Sequence, residues 1–302
     1  MWQSKPVLLL LLLAVSTAAT SGKPLLTKIT KGGASTALYT APLSAGRPLV
    51  LDLSAPAITT PCSGQTTTVT LSANSTNGSN PLSPVSFSAT ATCAAAPSGP
   101  GYFVSATNGI AIDGTRVAVA GSGALVVGLS TTIPYAQLRS DVYRPFIAAF
   151  DRAMGSSAKV AAVAPFDLCY DSSKLAPTRF GYLVPNVDVM LEGGTNWTVV
   201  GGNSMAQVNS GTACFAFVRS GGSTGGATPA LVIGGFQMEN KLVVLDNGKK
   251  TLSFTASPRT SRAWASPAAT SISPGPPSDP HRFVACCAYP GLYVETIKDI
   301  KY

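Results

Sequence analysis

The chain has 302 residues, of which 45% are hydrophobic and only 11% charged, with 29 Gly, 23 Pro and 6 Cys. This balance excludes a long solvated helix or a charge-rich disordered chain, and it suits an exported, strand-rich protein. A net charge of +8 with a single histidine points to acidic partners, yet no basic run is interleaved with aromatics, which argues against nucleic acid.

Residues 1–22 read as a signal peptide: Lys5 gives the positive start, Val7 to Val15 is almost unbroken apolar sequence, and Thr17-Ala18-Ala19 offers small residues for cleavage. The apolar run is well short of the ~20 residues a membrane span needs, so a secreted, extracellular protein without a membrane anchor is expected. Next, Ala37-Leu38-Tyr39 and Arg47 to Leu53 read as strands, with Asp52 near the end of the second. A Thr-rich strand follows Cys62, leading to a polar loop with the sequons Asn74-Ser75-Thr76 and Asn77-Gly78-Ser79. Crowding favours glycosylation of one over both. Val85, Phe87, Ala89 and Ala91 alternate with Ser and Thr as a half-buried strand running to Cys93.

Pro97 to Gly101 reads as the boundary between two lobes. Beyond it, Asp113-Gly114 predicts a type I′ hairpin, and Ala124 to Val127 another strand. Ser140 to Met154 is the one segment with helical period, with Ser140 or Asp141 as N-cap, Pro145 in or near the first turn and Gly155 as C-cap. Strands are expected around Val184 to Val187, Trp197 to Val200, Ser204 to Val208 and Ala213 to Val218, and a third sequon starts at Asn196. Leu231 to Ile233, Leu242 to Leu245 and Leu252 to Phe254 are further strands, the last two joined by a two-residue turn at Asn247-Gly248. From Ala256 the sequence is dense in Pro, Ser and Ala without period, which predicts disorder.

Three stretches carry a resemblance. Pro165-Phe166-Asp167-Leu168-Cys169-Tyr170, Gly211 to Phe217, and Leu231 to Phe254 with its Gly234-Gly235 and Gln237-Met238-Glu239-Asn240 occur in this order. They closely resemble the C-terminal lobe of plant pepsin-like (A1) aspartic proteases, and within them the TAXI-type endo-1,4-β-xylanase inhibitors. The resemblance runs from about Tyr102 to Phe254, is patchy before and stops after. It implies an all-β fold with few helices, the bilobal pepsin-like architecture. Residues 23–101 would form a shortened N-terminal lobe, 102–255 the C-terminal lobe and 256–302 a divergent tail. It also implies a disulfide between Cys169 and Cys214, while the pairing of Cys62, Cys93, Cys286 and Cys287 stays open.

Pepsin-like catalysis needs one Asp from each lobe, so that two carboxylates share a proton. Asp52 in Asp52-Leu53-Ser54-Ala55 is a remnant of the first loop. The second falls at Gly128-Leu129-Ser130-Thr131-Thr132, with a possible slip of one residue, and no Asp or Glu occurs between Gly114 and Ser140. The expectation is therefore no enzyme, no catalytic residue, no cofactor and no metal. A triad would have to use His281 in the tail, no sequence spacing pairs two carboxylates for glycoside hydrolysis, and the Gly-rich Ser220 to Gly226 lacks a following Lys-Ser/Thr.

The resemblance implies instead a secreted, monomeric inhibitor of microbial xylanases in plant cell-wall defence. Its partner would be a protein with an acidic cleft. The inhibitor family's cleft-bridging His falls at Arg259 and an apolar contact near Arg179. The alternatives are a degenerate or mis-spliced paralogue without activity, and an aspartic endopeptidase.

Overall fold

The computed structural model describes residues 25–31, 38–41, 49–52, 59–60, 62–75, 83–93, 103–119, 125–192, 194–221, 229–246, 251–254, 268–271, 282–288 and 291–297. The leader, the interlobe loop, Asn77, the Asn247-Gly248 turn and Arg259 lie outside them. Strands dominate. The first third gives β1 (Leu25–Lys31), β2 (Tyr39–Ala41), β3 (Leu49–Val50), β4 (Thr59–Thr60), β5 (Thr66–Ser75) and β6 (Ser83–Cys93). β5 and β6 pair antiparallel from Thr66↔Thr92 to Ser75↔Ser83. Side chains alternate across a strand, so the Thr and Ser of Thr66, Thr68 and Thr70 share one face with Ser86, Ser88, Thr90 and Thr92.

The second part builds the core. It comprises β7 (Phe103–Ile112), β8 (Thr115–Arg116), β9 (Leu125–Leu129), β10 (Ala136–Leu138), α1 (Ser140–Met154), β11 (Lys159–Val160) and β12 (Cys169–Asp171). Next come β13 (Pro177–Thr178), β14 (Gly181–Tyr182), β15 (Val187–Leu191), β16 (Asn196–Val199), α2 (Gly201–Ser204), β17 (Met205–Asn209), β18 (Thr212–Phe215) and β19 (Phe217–Arg219). β20 (Leu231–Ile233), α3 (Gly235–Met238), β21 (Leu242–Asp246) and β22 (Thr251–Phe254) complete it. An eight-stranded sheet runs β16-β15-β7-β9-β20-β10-β19, with β8 attached to β7. A smaller sheet runs β11-β12-β18-β17.

Aromatic packing holds α1 in place. Val142, Phe146 and Phe150 recur along one helix face and are fully buried. Phe150 stacks on Phe215 with ring centres 3.7 Å apart, and Phe146 meets Phe217 edge-on at 5.0 Å. The Asp113-Gly114 turn has φ of +47° and +76°, as a type I′ hairpin requires. Gly155 closes α1 through its N–H to the Arg152 carbonyl, 3.2 Å.

Several expectations are corrected. The N-cap of α1 is Arg139, not Ser140 or Asp141. Asp141 is instead held by the Arg139 guanidinium at 2.7 Å, and that hydrogen bond lowers its carboxyl below the ordinary carboxylate range. Pro145 falls in the second helical turn. Val184 to Asn186 are not strand; pairing begins at Val187. Ser204 ends a short helix, and the strand expected from it begins at Met205. The register of β21 and β22 pairs Val243 with Phe254 through Asp246 with Thr251, and the turn between them lies outside the described residues.

The tail is also corrected. β23 (Ala268–Ser271), β24 (Arg282–Ala288) and β25 (Gly291–Ile297) are strands, pairing with β22, β21 and β1 respectively. Phe283, Val284, Tyr293 and Val294 supply the β-branched and aromatic residues that strands favour. The long Pro- and Ser-rich stretch before them hid that signal. These strands, with β4, β5 and β6 and the β2–β3 branch, make an eleven-stranded sheet.

Candidate functional site

The two loops that a pepsin-like centre would use do meet. β3 ends at Val50, just before Leu51-Asp52, and β9 ends at Leu129, just before Ser130-Thr131-Thr132. The Thr131 hydroxyl donates to the Leu51 carbonyl at 2.6 Å, across a separation of 80 residues. Leu51 N–H donates to the Tyr39 carbonyl at 2.8 Å, and Ser130 N–H to the Ile233 carbonyl at 3.0 Å. Ser130 and Thr131 are buried. Thr131 is the residue of the second loop that crosses to the first. Ser130 precedes it, as Asp52 follows Leu51. Chemically the first loop brings a carboxylate and the second brings hydroxyls, with Ser130 Oγ and Thr132 Oγ1 2.9 Å apart. Among the described residues, no group of three His, Cys, Asp or Glu could hold a metal.

Sequence reading missed the clasp beside these loops. Tyr39 is buried and its hydroxyl donates to Glu239 Oε1, which also takes a hydrogen bond from Lys31 Nζ at 2.7 Å. The ring lies where a side chain at Gly235 would be, since an added Cβ would come 2.2 Å from Tyr39 Cε2. Behind Gly235, Gln237 is fully buried: its carbonyl accepts from Ala136 N–H at 2.8 Å, and its amide donates to Ala216 O at 2.7 Å. Asn203 answers it, donating to Phe236 O at 2.8 Å and Glu239 O at 3.1 Å. The signal was present as a short repeat, Val199-Val200-Gly201-Gly202 and Val232-Ile233-Gly234-Gly235, each opening a short helix.

This arrangement gives a direct test. Replacing Gly235→Ala should expel the Tyr39 ring and cost roughly 1–3 kcal/mol, the usual range for overpacking. Urea unfolding of the single variant, of Tyr39→Ala and of the double variant measures it. The double should be no worse than Tyr39→Ala alone; additive losses would mean that the two residues do not share the space.

The other predicted residues are placed as follows. Arg179 is exposed at the tip of the β13–β14 hairpin, its guanidinium 4.7 Å from the Phe180 ring centre. The hairpin is pinned from below: Gly181 has φ +94° and touches Gly202, whose N–H donates to Phe180 O at 2.5 Å. Leu183, just beyond, is 68% exposed. Arg259 lies outside the described residues. Cys169 and Cys214 are joined, S–S 2.04 Å, and Cys62 with Cys93, S–S 1.97 Å. Asn74 lies half-buried within β5, and Asn196 is exposed at the start of β16.

A family model for the xylanase inhibitor C-terminal domain matches residues 101–256. Chitinase CLP of Oryza sativa subsp. japonica is 52% identical over 161 residues, 52% of this chain and 38% of that protein. The probable aspartic proteinase GIP2 of Nicotiana benthamiana is 33% identical over 151 residues, 49% of this chain and 33% of that protein. The chain thus spans about a third of the length of such relatives. Among solved structures, edgp superposes with a TM-score of 0.58 at 18% identity, covering 74% of this chain and 92% of that one. Soybean basic 7S globulin does so at 0.57 and 16% identity, covering 79% and 93%. These structures share the all-β, pepsin-like fold.

Proposed function

Because the chain belongs to the xylanase inhibitor C-terminal family, within the plant pepsin-like A1 group, we propose that it is a secreted, catalytically inactive, monomeric binder of microbial retaining endo-1,4-β-xylanases, acting in cell-wall defence. The observation that carries the loss of catalysis is the Thr131–Leu51 hydrogen bond. It supports Ser130 as the counterpart of the second aspartate. A carboxylate in one loop and hydroxyls in the other do not supply the two carboxylates between which pepsin-like chemistry divides the acid and base roles.

For inhibition, a retaining glycosidase offers two carboxylates ~5 Å apart. A guanidinium can bridge them with charge-assisted hydrogen bonds, which makes Arg259 the bridging group in this reading. Arg179, presented with Phe180 on a pinned hairpin and followed by exposed Leu183, supplies a second contact. Truncating a buried bridging charge costs ~2–5 kcal/mol, so Arg259→Ala should abolish xylanase binding in calorimetry, and Arg179→Ala should weaken it less. Equal binding by Arg259→Ala and the parent would overturn the contact.

The 52% identity to a protein named chitinase favours a second reading, action on chitin. Chitin hydrolysis by the same preparation decides for it. Pepstatin-sensitive cleavage at acid pH, lost in Asp52→Asn, would restore the peptidase alternative. No binding and no hydrolysis would leave the degenerate paralogue.

A further inference from the structure

We infer that Asn196 carries an N-linked oligosaccharide, and that this glycan and Lys241 together guard one edge of the eight-stranded sheet. β16 is the outermost strand on its side, paired only through β15 among the described residues. Exposed edges template the pairing of a second chain and need covering. Side chains alternate along β16: Trp197 and Val199 are buried, while Asn196 is exposed and begins the sequon Asn196-Trp197-Thr198. The position directly follows a turn in which Gly194 has φ +79°, so bulk on Asn196 projects from a hairpin end.

One acceptor on this strand is already covered. Lys241 Nζ donates to the Thr198 carbonyl at 2.7 Å and lies 5.2 Å from the Trp197 ring centre. Two residues away, a hydrated oligosaccharide would keep a second strand off by bulk.

The transfer needs export and a lipid pyrophosphate-linked oligosaccharide as donor. The Asn196 amide nitrogen forms a bond to the anomeric carbon as the bond from that carbon to the pyrophosphate oxygen breaks. The lipid pyrophosphate leaves with the electron pair, the amide gives up one proton, and nothing is oxidised or reduced.

The full chain, secreted from a eukaryotic host, tests both parts by peptide mapping with and without peptide N-glycosidase. The peptide spanning Asn196 should appear only after the enzyme, with Asp in place of Asn. Asn196→Gln should lose one glycan mass and elute earlier in size exclusion as associated species, whereas Thr198→Ser, which keeps the sequon, should match the parent. An unmodified Asn196 peptide from untreated protein overturns the site. Loss of the glycan with unchanged elution overturns the guard. If Asn196→Gln is not secreted, mapping of the parent decides the site and enzymatic deglycosylation of the native parent decides the guard.

Discussion

Phe215→Ala should destabilise the protein by ~3–5 kcal/mol, the range for truncating a buried aromatic. Phe215 is fully buried, stacked on Phe150 at 3.7 Å and within 5.4 Å of Phe146 and 4.6 Å of Phe217. It sits on β18, and its N–H donates to the Leu168 carbonyl at 2.8 Å. The ring is therefore where α1, the small sheet and the strand leading into β19 meet. Removing it leaves a void bounded by rings on two elements that cannot collapse together. Phe215→Leu should lose less than half as much, because most of the volume stays filled. Equilibrium urea unfolding measures both, and an alanine penalty below ~1 kcal/mol would show that the cluster is not the core.

The second large effect is the Cys169–Cys214 bridge. Replacing both residues by Ser should cost ~2–5 kcal/mol, the range for removing the disulfide of a small domain. The cysteines face each other directly in the β12–β18 pairing, 45 residues apart in sequence, and both are buried. Cys62 is exposed in the other bridge, which joins residues 31 apart. Mild reductant followed by alkylation and mass mapping should therefore label Cys62 and Cys93 first, with Cys169 and Cys214 labelled only as the protein unfolds. The reverse order would mean that the buried bridge adds nothing to stability.

Local chemistry made much of this legible from sequence. Asp113-Gly114 encodes its turn because both residues tolerate positive φ, and the apolar period from Val142 to Phe150 encodes the buried face of α1. What stayed hidden was set by partners distant in sequence. Nothing near Gly235 says that the ring of Tyr39 occupies its missing side chain. Asp141 is the exception: Arg139 stands only two residues earlier, but the sequence alone does not choose between that ion pair and a cap. Nothing near Thr131 says that its hydroxyl reaches the Leu51 carbonyl, 80 residues away. The tail strands were obscured by composition: a window dominated by Pro and Ser dilutes the strand residues that follow. Arg179 is exposed at its hairpin tip, but a surface cation carries no local mark of its partner.

The Glu239 clasp ties folding to the order of synthesis. Lys31 and Tyr39 leave the ribosome early, yet the carboxylate they share lies 208 and 200 residues further on. At ~5–20 residues per second, that residue arrives on the order of tens of seconds later. Throughout that interval Tyr39 has no pocket at Gly235 to enter, and the early strands β1 and β2 must persist without their later partners. Such long-range closure makes for a high contact order and a slow search. Translation speed and chaperone occupancy of the nascent N-terminus, more than the strength of the finished contacts, would then govern how much of the chain reaches its native state.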